Sequence, residues 1–229
     1  MSMLKRSSSD IDPSNFLWAL KRIISEQYTA FNYNTQQDVP EILHTVLDKL
    51  KGSSSRADYM SRVTTTSTVT LDTCFCSSSR EDTSNILTLP TSLSISQGLL
   101  KPESLSGEYK WFRPQCNTHR ECTKETHISH CGSVLIVQLL KFSAAQNTFV
   151  KDTRSVDCSS ESENPLNVQI CSNNDISFNR NFSLVATINH SGTIKSGHYW
   201  AKGKIIYKEV VTNCNQTARG LDIFSCLWV

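Results

Sequence analysis

Apolar residues recur with helical spacing near the start of the chain. Over 39–50, six aliphatic side chains fall on one helical face: Val39, Ile42, Leu43, Val46, Leu47 and Leu50. Residues three and four apart share a face, so this stretch predicts an amphipathic helix. Asp38 and Glu41 have the spacing of a capping box, and Pro40 lies in the first turn, where it is tolerated.

A weaker pattern over 16–24 predicts an earlier helix. Asp12 would be its N-cap and Pro13 its first helical residue, a position where proline fits well. Gly52 and the serines at 53–55 predict the end of the helical part of the chain.

Strand patterns replace helical ones beyond residue 60. Residues 62–71 are rich in threonine and valine and show some alternation, the pattern of an exposed or half-buried strand. Residues 134–142 are almost continuously apolar and predict a central buried strand. Further strands are predicted at 109–112, 123–128, 182–188 and 198–207, with a loop at 151–164. Because helices precede strands instead of alternating with them, the pattern favours an α+β fold.

Composition and charge exclude several classes of protein. A chain of 229 residues with net charge +2 lacks the basic excess expected of a nucleic-acid binder. It has no apolar run long enough to span a membrane. The first twelve residues are polar and serine-rich, which argues against a signal peptide. The odd number of cysteines, nine, argues against a disulfide framework, so we expect buried thiols, a metal site or a catalytic thiol in an intracellular protein, cytoplasmic or nuclear.

One histidine stands in a context suited to chemistry. His198 follows Gly197 at the mouth of a predicted strand, after a glycine-containing turn at 191–197. A histidine beside glycine leaves room for a substrate chain to approach. Four others lie on an exposed helix face (His44) or in polar β sequence (His119, His127 and His130).

Three segments resemble the ubiquitin-specific proteases, cysteine peptidases that cut after the C-terminal glycine of ubiquitin. Residues 189–192 (Asn-His-Ser-Gly) with 196–199 (Ser-Gly-His-Tyr) resemble the family's histidine box. Residues 36–43 (Gln-Gln-Asp-Val-Pro-Glu-Ile-Leu) are similar to its Gln-Gln-Asp helix start. Residues 134–142 resemble the strand that usually ends Leu-Lys-Arg-Phe. The boxes occur in the family's order.

The resemblance implies a papain-like α+β fold shaped like a hand, truncated at the N-terminus. Residues 10–55 would form the thumb helices. Residues 60–80 and 106–130 would form β fingers that grip ubiquitin, and 84–105 with 131–229 would form the palm. The ubiquitin tail would lie extended between thumb and palm, and ubiquitinated proteins would be partners.

The resemblance also implies roles for individual residues. His198 would be the catalytic base, and Asn215 would orient it, because Cys214-Asn215-Gln216 is similar to the Cys-Asn-Asp of some members. The alternative is that Asn215 is a turn residue. The residues implied to bind the ubiquitin tail are Asp38, Glu41, His190, Gly197 and Tyr199. By their sequence, residues 221–229 lack the aromatic closing strand expected of the family.

The family's nucleophile is not found in the sequence. It lies in a Gly-x-x-Asn-Thr-Cys-Tyr-like box before the Gln-Gln-Asp helix, and none of the nine cysteines matches it. The mechanism needs a thiolate, a histidine and an orienting residue, so we expect this chain alone not to hydrolyse the isopeptide bond. Two alternatives are a non-catalytic binder of ubiquitin or a ubiquitin-like protein, and a fragment of a longer active deubiquitinase.

The family's pattern of zinc ligands is incomplete in this sequence. Two Cys-x-x-Cys pairs usually supply four ligands to tetrahedral Zn²⁺. Here the first pair is Cys74 and Cys76, one residue too close, and Arg113 stands where the second pair with Cys116 would begin. Cys122, His119 or His127 could substitute. We expect finger strands held by packing alone, with no cofactor for catalysis and structural zinc as the alternative.

Overall fold

The computed structural model describes residues 14–27, 39–53, 55–71, 76–91, 95, 102–113, 117–145, 148–156, 165–172, 175–193, 197–203, 205–207, 210–212 and 223–228. The chain divides into two compact units, residues 1–57 and 58–229. The described helices are α1 (Ser14–Gln27), α2 (Val39–Ser53) and α3 (Ser55–Ser61).

Seventeen strands follow these helices in the described part of the chain. They are β1 (Val63–Leu71), β2 (Ser77–Ser84), β3 (Leu87–Pro90), β4 (Glu103–Leu105), β5 (Trp111–Arg113), β6 (Thr118–Arg120), β7 (Cys122–Cys131), β8 (Leu135–Leu140), β9 (Phe142–Ala145), β10 (Thr148–Lys151), β11 (Leu166–Ser172), β12 (Asp175–Phe182), β13 (Leu184–Gly192), β14 (Gly197–Gly203), β15 (Ile205–Tyr207), β16 (Val210–Thr212) and β17 (Ile223–Trp228). A short 3-10 turn lies at Gly107–Tyr109. No helix among the described residues is long and apolar enough to cross a membrane.

Helix α2 forms where the periodicity predicted it. Its first turn contains Glu41, whose carbonyl accepts a 2.9 Å hydrogen bond from the buried Thr45 hydroxyl. The predicted end of the helical part was wrong, because α3 follows after a single residue. The predicted caps of both helices, Asp12 and Asp38, lie outside the described residues.

The first large sheet has six strands in the order β12-β11-β7-β1-β2, with β4 also paired to β7. Strand β1 pairs antiparallel with β2 and β7 along its whole length. Its central residues are only half-buried, as the alternating pattern predicted, and hydroxyl pairs cross the sheet between Thr64 and Thr83 and between Ser67 and Thr126. Strands β11 and β12 were not predicted.

The second large sheet has five strands in the order β14-β13-β17-β8-β3. Strand β8 was predicted as a buried central strand and is one, since Val137 and Leu139 have no exposed surface. It pairs parallel with β3 and antiparallel with β17. The expectation that residues 221–229 lack a closing strand was wrong, because β17 lies between β13 and β8 in this sheet.

The predicted loop at 151–164 needs correction at its start. Lys151 ends β10, which forms an antiparallel hairpin with β9, and Lys151 pairs with Phe142 at its base. Residues 152–156 have no regular structure, and 157–164 lie outside the described part. The predicted strand at 198–207 is two strands, β14 and β15, in different sheets. Helices followed by antiparallel-rich sheets confirm the α+β class.

Candidate functional site

The candidate site is built on the β13–β14 hairpin at the edge of the five-stranded sheet. The antiparallel register sets His190 opposite Tyr199, Ser191 opposite His198 and Gly192 opposite Gly197. Directly opposed residues share a face, and successive residues alternate between faces. The His198 side therefore carries Ser191, and the other side carries His190, Gly197 and Tyr199.

His198 is exposed and so accessible to a substrate chain. The Ser191 hydroxyl donates a hydrogen bond of 3.4 Å to the His198 carbonyl, which ties the two strands together at this point. Both observations agree with the position expected of His198 at a strand mouth. A histidine that a substrate can reach is suited to acid–base chemistry.

His190 is buried, in contrast to its neighbour. Its ring centroid lies 4.5 Å from that of Tyr199 and 6.0 Å from that of Phe142, the latter in an edge-on arrangement. Such tilted aromatic pairs are the favourable geometry for rings. Gly197 lies so close that a Cβ there would overlap the His190 Nε2 and the Ser191 carbonyl oxygen. Glycine is therefore required at 197 for this packing.

Two residues that sequence reasoning did not assign to the site contact His190. Phe142 touches its ring, and the Lys151 ammonium donates a 2.9 Å hydrogen bond to its carbonyl oxygen. Lys151 is 39 residues away in sequence from His190. No local pattern joins such distant positions, although Phe142 does end the third family box.

A buried amide lies next to His198 along the same face of the hairpin. Asn189 is fully buried, and its amide nitrogen donates to the Thr187 hydroxyl at 3.3 Å and the Trp200 carbonyl at 3.5 Å. Its side-chain oxygen accepts no hydrogen bond from any described residue. A polar residue inside an apolar strand was the sequence signal that could have singled it out.

The structure leaves the remaining predicted site residues untested. Glu41 is exposed on α2. Asp38 and Asn215 lie outside the described residues, as do Cys74 and Cys116. The roles of all of them stay predictions.

Two of the four predicted zinc ligands are described, and both neighbour Leu71. The Leu71 amide donates to the Cys76 carbonyl at 3.0 Å, while Leu71 pairs with Cys122 on its other side. The backbones of Cys76 and Cys122 are thus two strand spacings apart, about 10 Å. The described residues contain no group of three or more histidine, cysteine or acidic side chains able to hold a metal. The zinc site stays a prediction.

Four of the cysteines are outside any disulfide, and one of them has a perturbed pKa. Cys76, Cys122, Cys131 and Cys171 form no disulfide. Burial raises the pKa of the Cys131 thiol to about 11, against a smaller lowering by the charge of Arg180. A thiol protonated at neutral pH is a poor nucleophile. Cys131 is thus unsuited to replace the family's catalytic cysteine.

Comparison with protein families identifies the class. A model of the ubiquitin carboxyl-terminal hydrolase family matches residues 1–218. The chain belongs to this family and is a deubiquitinase-family domain of the ubiquitin-specific protease type, as the three sequence boxes predicted.

Curated relatives match about half of the chain. Ubiquitin carboxyl-terminal hydrolase 19 of Homo sapiens is 33% identical over 113 residues, which are 46% of this chain and 8% of the relative. Ubiquitin carboxyl-terminal hydrolase 5 of Arabidopsis thaliana is 28% identical over 114 residues, 48% of this chain and 12% of the relative. The chain thus matches only a small part of each relative's length.

Solved structures confirm the fold. One similar structure is the SAGA Ubp8/Sgf11/Sus1/Sgf73 DUB module bound to ubiquitin aldehyde. The match covers 94% of this chain and 53% of the matched chain in that structure, with a TM-score of 0.72 and 18% sequence identity. A second structure of the SAGA DUB module, bound to monoubiquitin, matches the same shares of the two chains with TM-score 0.68 and 19% identity. The chain spans about half of these structures and has the papain-like fold of ubiquitin-specific proteases.

Proposed function

We propose that this chain binds ubiquitin and holds its C-terminal tail beside the β13–β14 hairpin. The observations that carry the proposal are the packing of Gly197 on His190, which leaves no side chain at 197, and the exposure of His198 next to it. Family membership supports it, and so do the similar structures, which are described as bound to ubiquitin aldehyde and to monoubiquitin. Ubiquitinated proteins would then be the natural partners.

In this proposal His198 acts as the base of a cysteine peptidase site, and Asn215 orients it. His198 suits the role because its imidazole is exposed while the backbone on both sides is fixed by the hairpin. The nucleophile would be a thiolate of the family's cysteine box, which is not found among these 229 residues. We therefore propose that the 229 residues alone do not hydrolyse the isopeptide bond.

Asp38 and Glu41 are proposed to bind the basic ubiquitin tail. Carboxylates pair with arginines through two parallel hydrogen bonds, which gives such contacts strength and direction. Because asparagine also caps helices well, Asp38→Asn should weaken ubiquitin binding with little loss of stability. Unchanged affinity in that variant would leave capping as the whole role of Asp38.

The experiment that tests the main proposal compares monoubiquitin with ubiquitin lacking its C-terminal tail, by calorimetry on the 229-residue chain. The chain is expected to bind monoubiquitin and to lose most of this affinity for ubiquitin that lacks the tail. Equal affinity for both would remove the tail from the proposal, and no binding of either would refute it. The same chain should not be labelled by a ubiquitin vinyl-type electrophile; labelling of any of its cysteines would refute the inactivity proposal.

Two further properties are proposed. The purified chain should carry less than one equivalent of zinc, because losing one thiolate of four removes much of the metal-binding energy. Stoichiometric zinc by mass spectrometry, lost on Cys116→Ser, would refute this. An intracellular location, cytoplasmic or nuclear, is supported by the four cysteines that form no disulfide, and fractionation of cells that express the protein tests it.

A further inference from the structure

The candidate site is supported from outside its own hairpin. Strand β13 pairs with β17 as far as Asn189, opposite Ile223, in the described ladder. The three residues that carry the site, His190 to Gly192, continue beyond that point and pair with β14. At this place the β9–β10 hairpin contacts β13 through two side chains.

Those two side chains are cross-strand partners. Phe142 and Lys151 face each other at the base of the β9–β10 hairpin, one on each strand. Phe142 packs against the His190 ring, and Lys151 donates to the His190 carbonyl. One hairpin base therefore holds both the side chain and the backbone of the same residue.

The hairpin base is itself fixed. The Asp152 amide donates to the Lys141 carbonyl, and the Lys141 ammonium, on a side chain that is almost fully buried, donates to the Arg154 carbonyl. Arg154 and Asp152 form a bidentate ion pair, in which the guanidinium donates to both carboxylate oxygens. The backbone of Lys151 is thus held in register with Phe142.

Resting on the proposed ubiquitin-binding function, we propose that Lys151 is a positioning residue for the ubiquitin-tail site. It fixes the His190 backbone. The His190 ring touches Gly197 and Tyr199, so the placement of His190 sets the placement of the strand that presents His198. Lys151 acts through His190 and is assigned no contact with ubiquitin.

The test replaces the donor and follows the hairpin directly. In Lys151→Met, hydrogen exchange at residues 197–200 should become faster, while exchange in β8, in the same sheet, stays as in the wild type. Affinity for monoubiquitin should fall roughly ten-fold, as expected for a lost hydrogen bond from a charged donor. Lys151→Arg keeps a cationic donor and should restore most of both properties.

The matched control is Lys124→Met, the same substitution at a lysine of the six-stranded sheet, where the ammonium bonds Glu103 at 3.3 Å. It should leave exchange at 197–200 unchanged. Exchange at 197–200 that becomes as fast in this control as in Lys151→Met would overturn the proposal, because the effect would then reflect the loss of a positive charge alone.

Exchange at 197–200 that is the same in Lys151→Met and the wild type overturns the proposal, whether or not monoubiquitin binds. Exchange that accelerates equally across the five-stranded sheet also overturns it, since Lys151 would then only stabilise the fold. Failure of the wild type to bind monoubiquitin refutes the proposed function alone, because exchange still decides the positioning role.

Discussion

At the scale of single residues, the site depends on the absence of a side chain at 197. A Cβ there would overlap the His190 ring and the Ser191 carbonyl, whereas a Cβ at Gly203, on the same strand, would meet neighbours at 3.7 and 3.9 Å, an ordinary contact. We expect Gly197→Ala to lower the free energy of unfolding by about 1–3 kcal/mol, as overpacking does, and to weaken monoubiquitin binding.

Gly203→Ala is the matched control for that prediction. It adds the same methyl group to the same strand and should change neither the urea midpoint nor monoubiquitin affinity appreciably. Equal stability of Gly197→Ala and the wild type would mean that the His190 ring can move away from position 197 at no cost.

The Cys131 thiol offers a second test at this scale. Its pKa of about 11 in the folded protein, raised by burial from 9.0, means that folding favours the protonated form. The resulting stabilisation is present below pH 9 and is lost as the pH rises toward 11. At about pH 8, iodoacetamide should therefore alkylate the half-buried Cys76 well before Cys131, and full denaturation in urea should abolish the difference. Equal native rates in peptide mapping would contradict it.

At the scale of elements, β8 carries the core of the five-stranded sheet. Leu139 has no exposed surface, while the next residue, Leu140, is 52% exposed. We expect Leu139→Ala to lower the free energy of unfolding by about 2–5 kcal/mol and Leu140→Ala by less than about 0.5 kcal/mol. Urea denaturation of the two variants gives the comparison. Similar losses in both would mean that Leu140 is covered in solution.

The sequence predicted the elements whose information is local. Helix α2 was predicted because its apolar positions repeat with the helical period along the whole element, and β8 because its run is almost purely apolar. Strand β17 was missed, since its six residues mix serine and cysteine with apolar side chains. Its pairing with β13 and β8 makes it a strand, and pairing between distant segments leaves little trace in the segment itself.

The residues of the candidate site also divide into those that local sequence predicts and those that it does not. His190, Gly197, His198 and Tyr199 were predicted because they belong to the two neighbouring segments of the histidine box, and the hairpin register brings them together. Lys151 was assigned to a loop, because residues 151–164 are polar, acidic and rich in serine. Its bond to His190 is a tertiary contact that only the fold reveals.

At the scale of the whole molecule, the base of the β9–β10 hairpin makes the stability of the fold depend on pH in the acid range. Hydrogen bonds from the Arg154 side chain lower the pKa of Asp152 to about 2, from 3.8. A carboxylate with a lowered pKa stabilises the fold above its unfolded pKa, and this stabilisation is lost as the pH falls from about 5 toward 2. Asp152→Asn should therefore melt below the wild type at neutral pH, and the gap should close as the pH approaches the folded pKa.

Thermal melts of both proteins across that acid range measure the gap. Arg154→Met, which removes the partner and keeps the carboxylate, should show a similarly flattened acid profile, because the ion pair is absent in both variants. A gap between Asp152→Asn and the wild type that stays constant with pH would show that the variant disturbs the hairpin base through packing.

The Asp152–Arg154 ion pair also tests the positioning role of Lys151. If acid breaks this pair, the base of the β9–β10 hairpin should become more mobile, and His190 should lose its support before the rest of the five-stranded sheet unfolds. Hydrogen exchange at residues 197–200 that accelerates in the wild type between about pH 5 and 2, after correction for the intrinsic rate, is the expected sign of that coupling. Arg154→Met should show part of this acceleration already at neutral pH, because it lacks the pair at every pH. Exchange at 197–200 that accelerates in acid only together with β8 would mean that the base does not act on His190 separately from global unfolding.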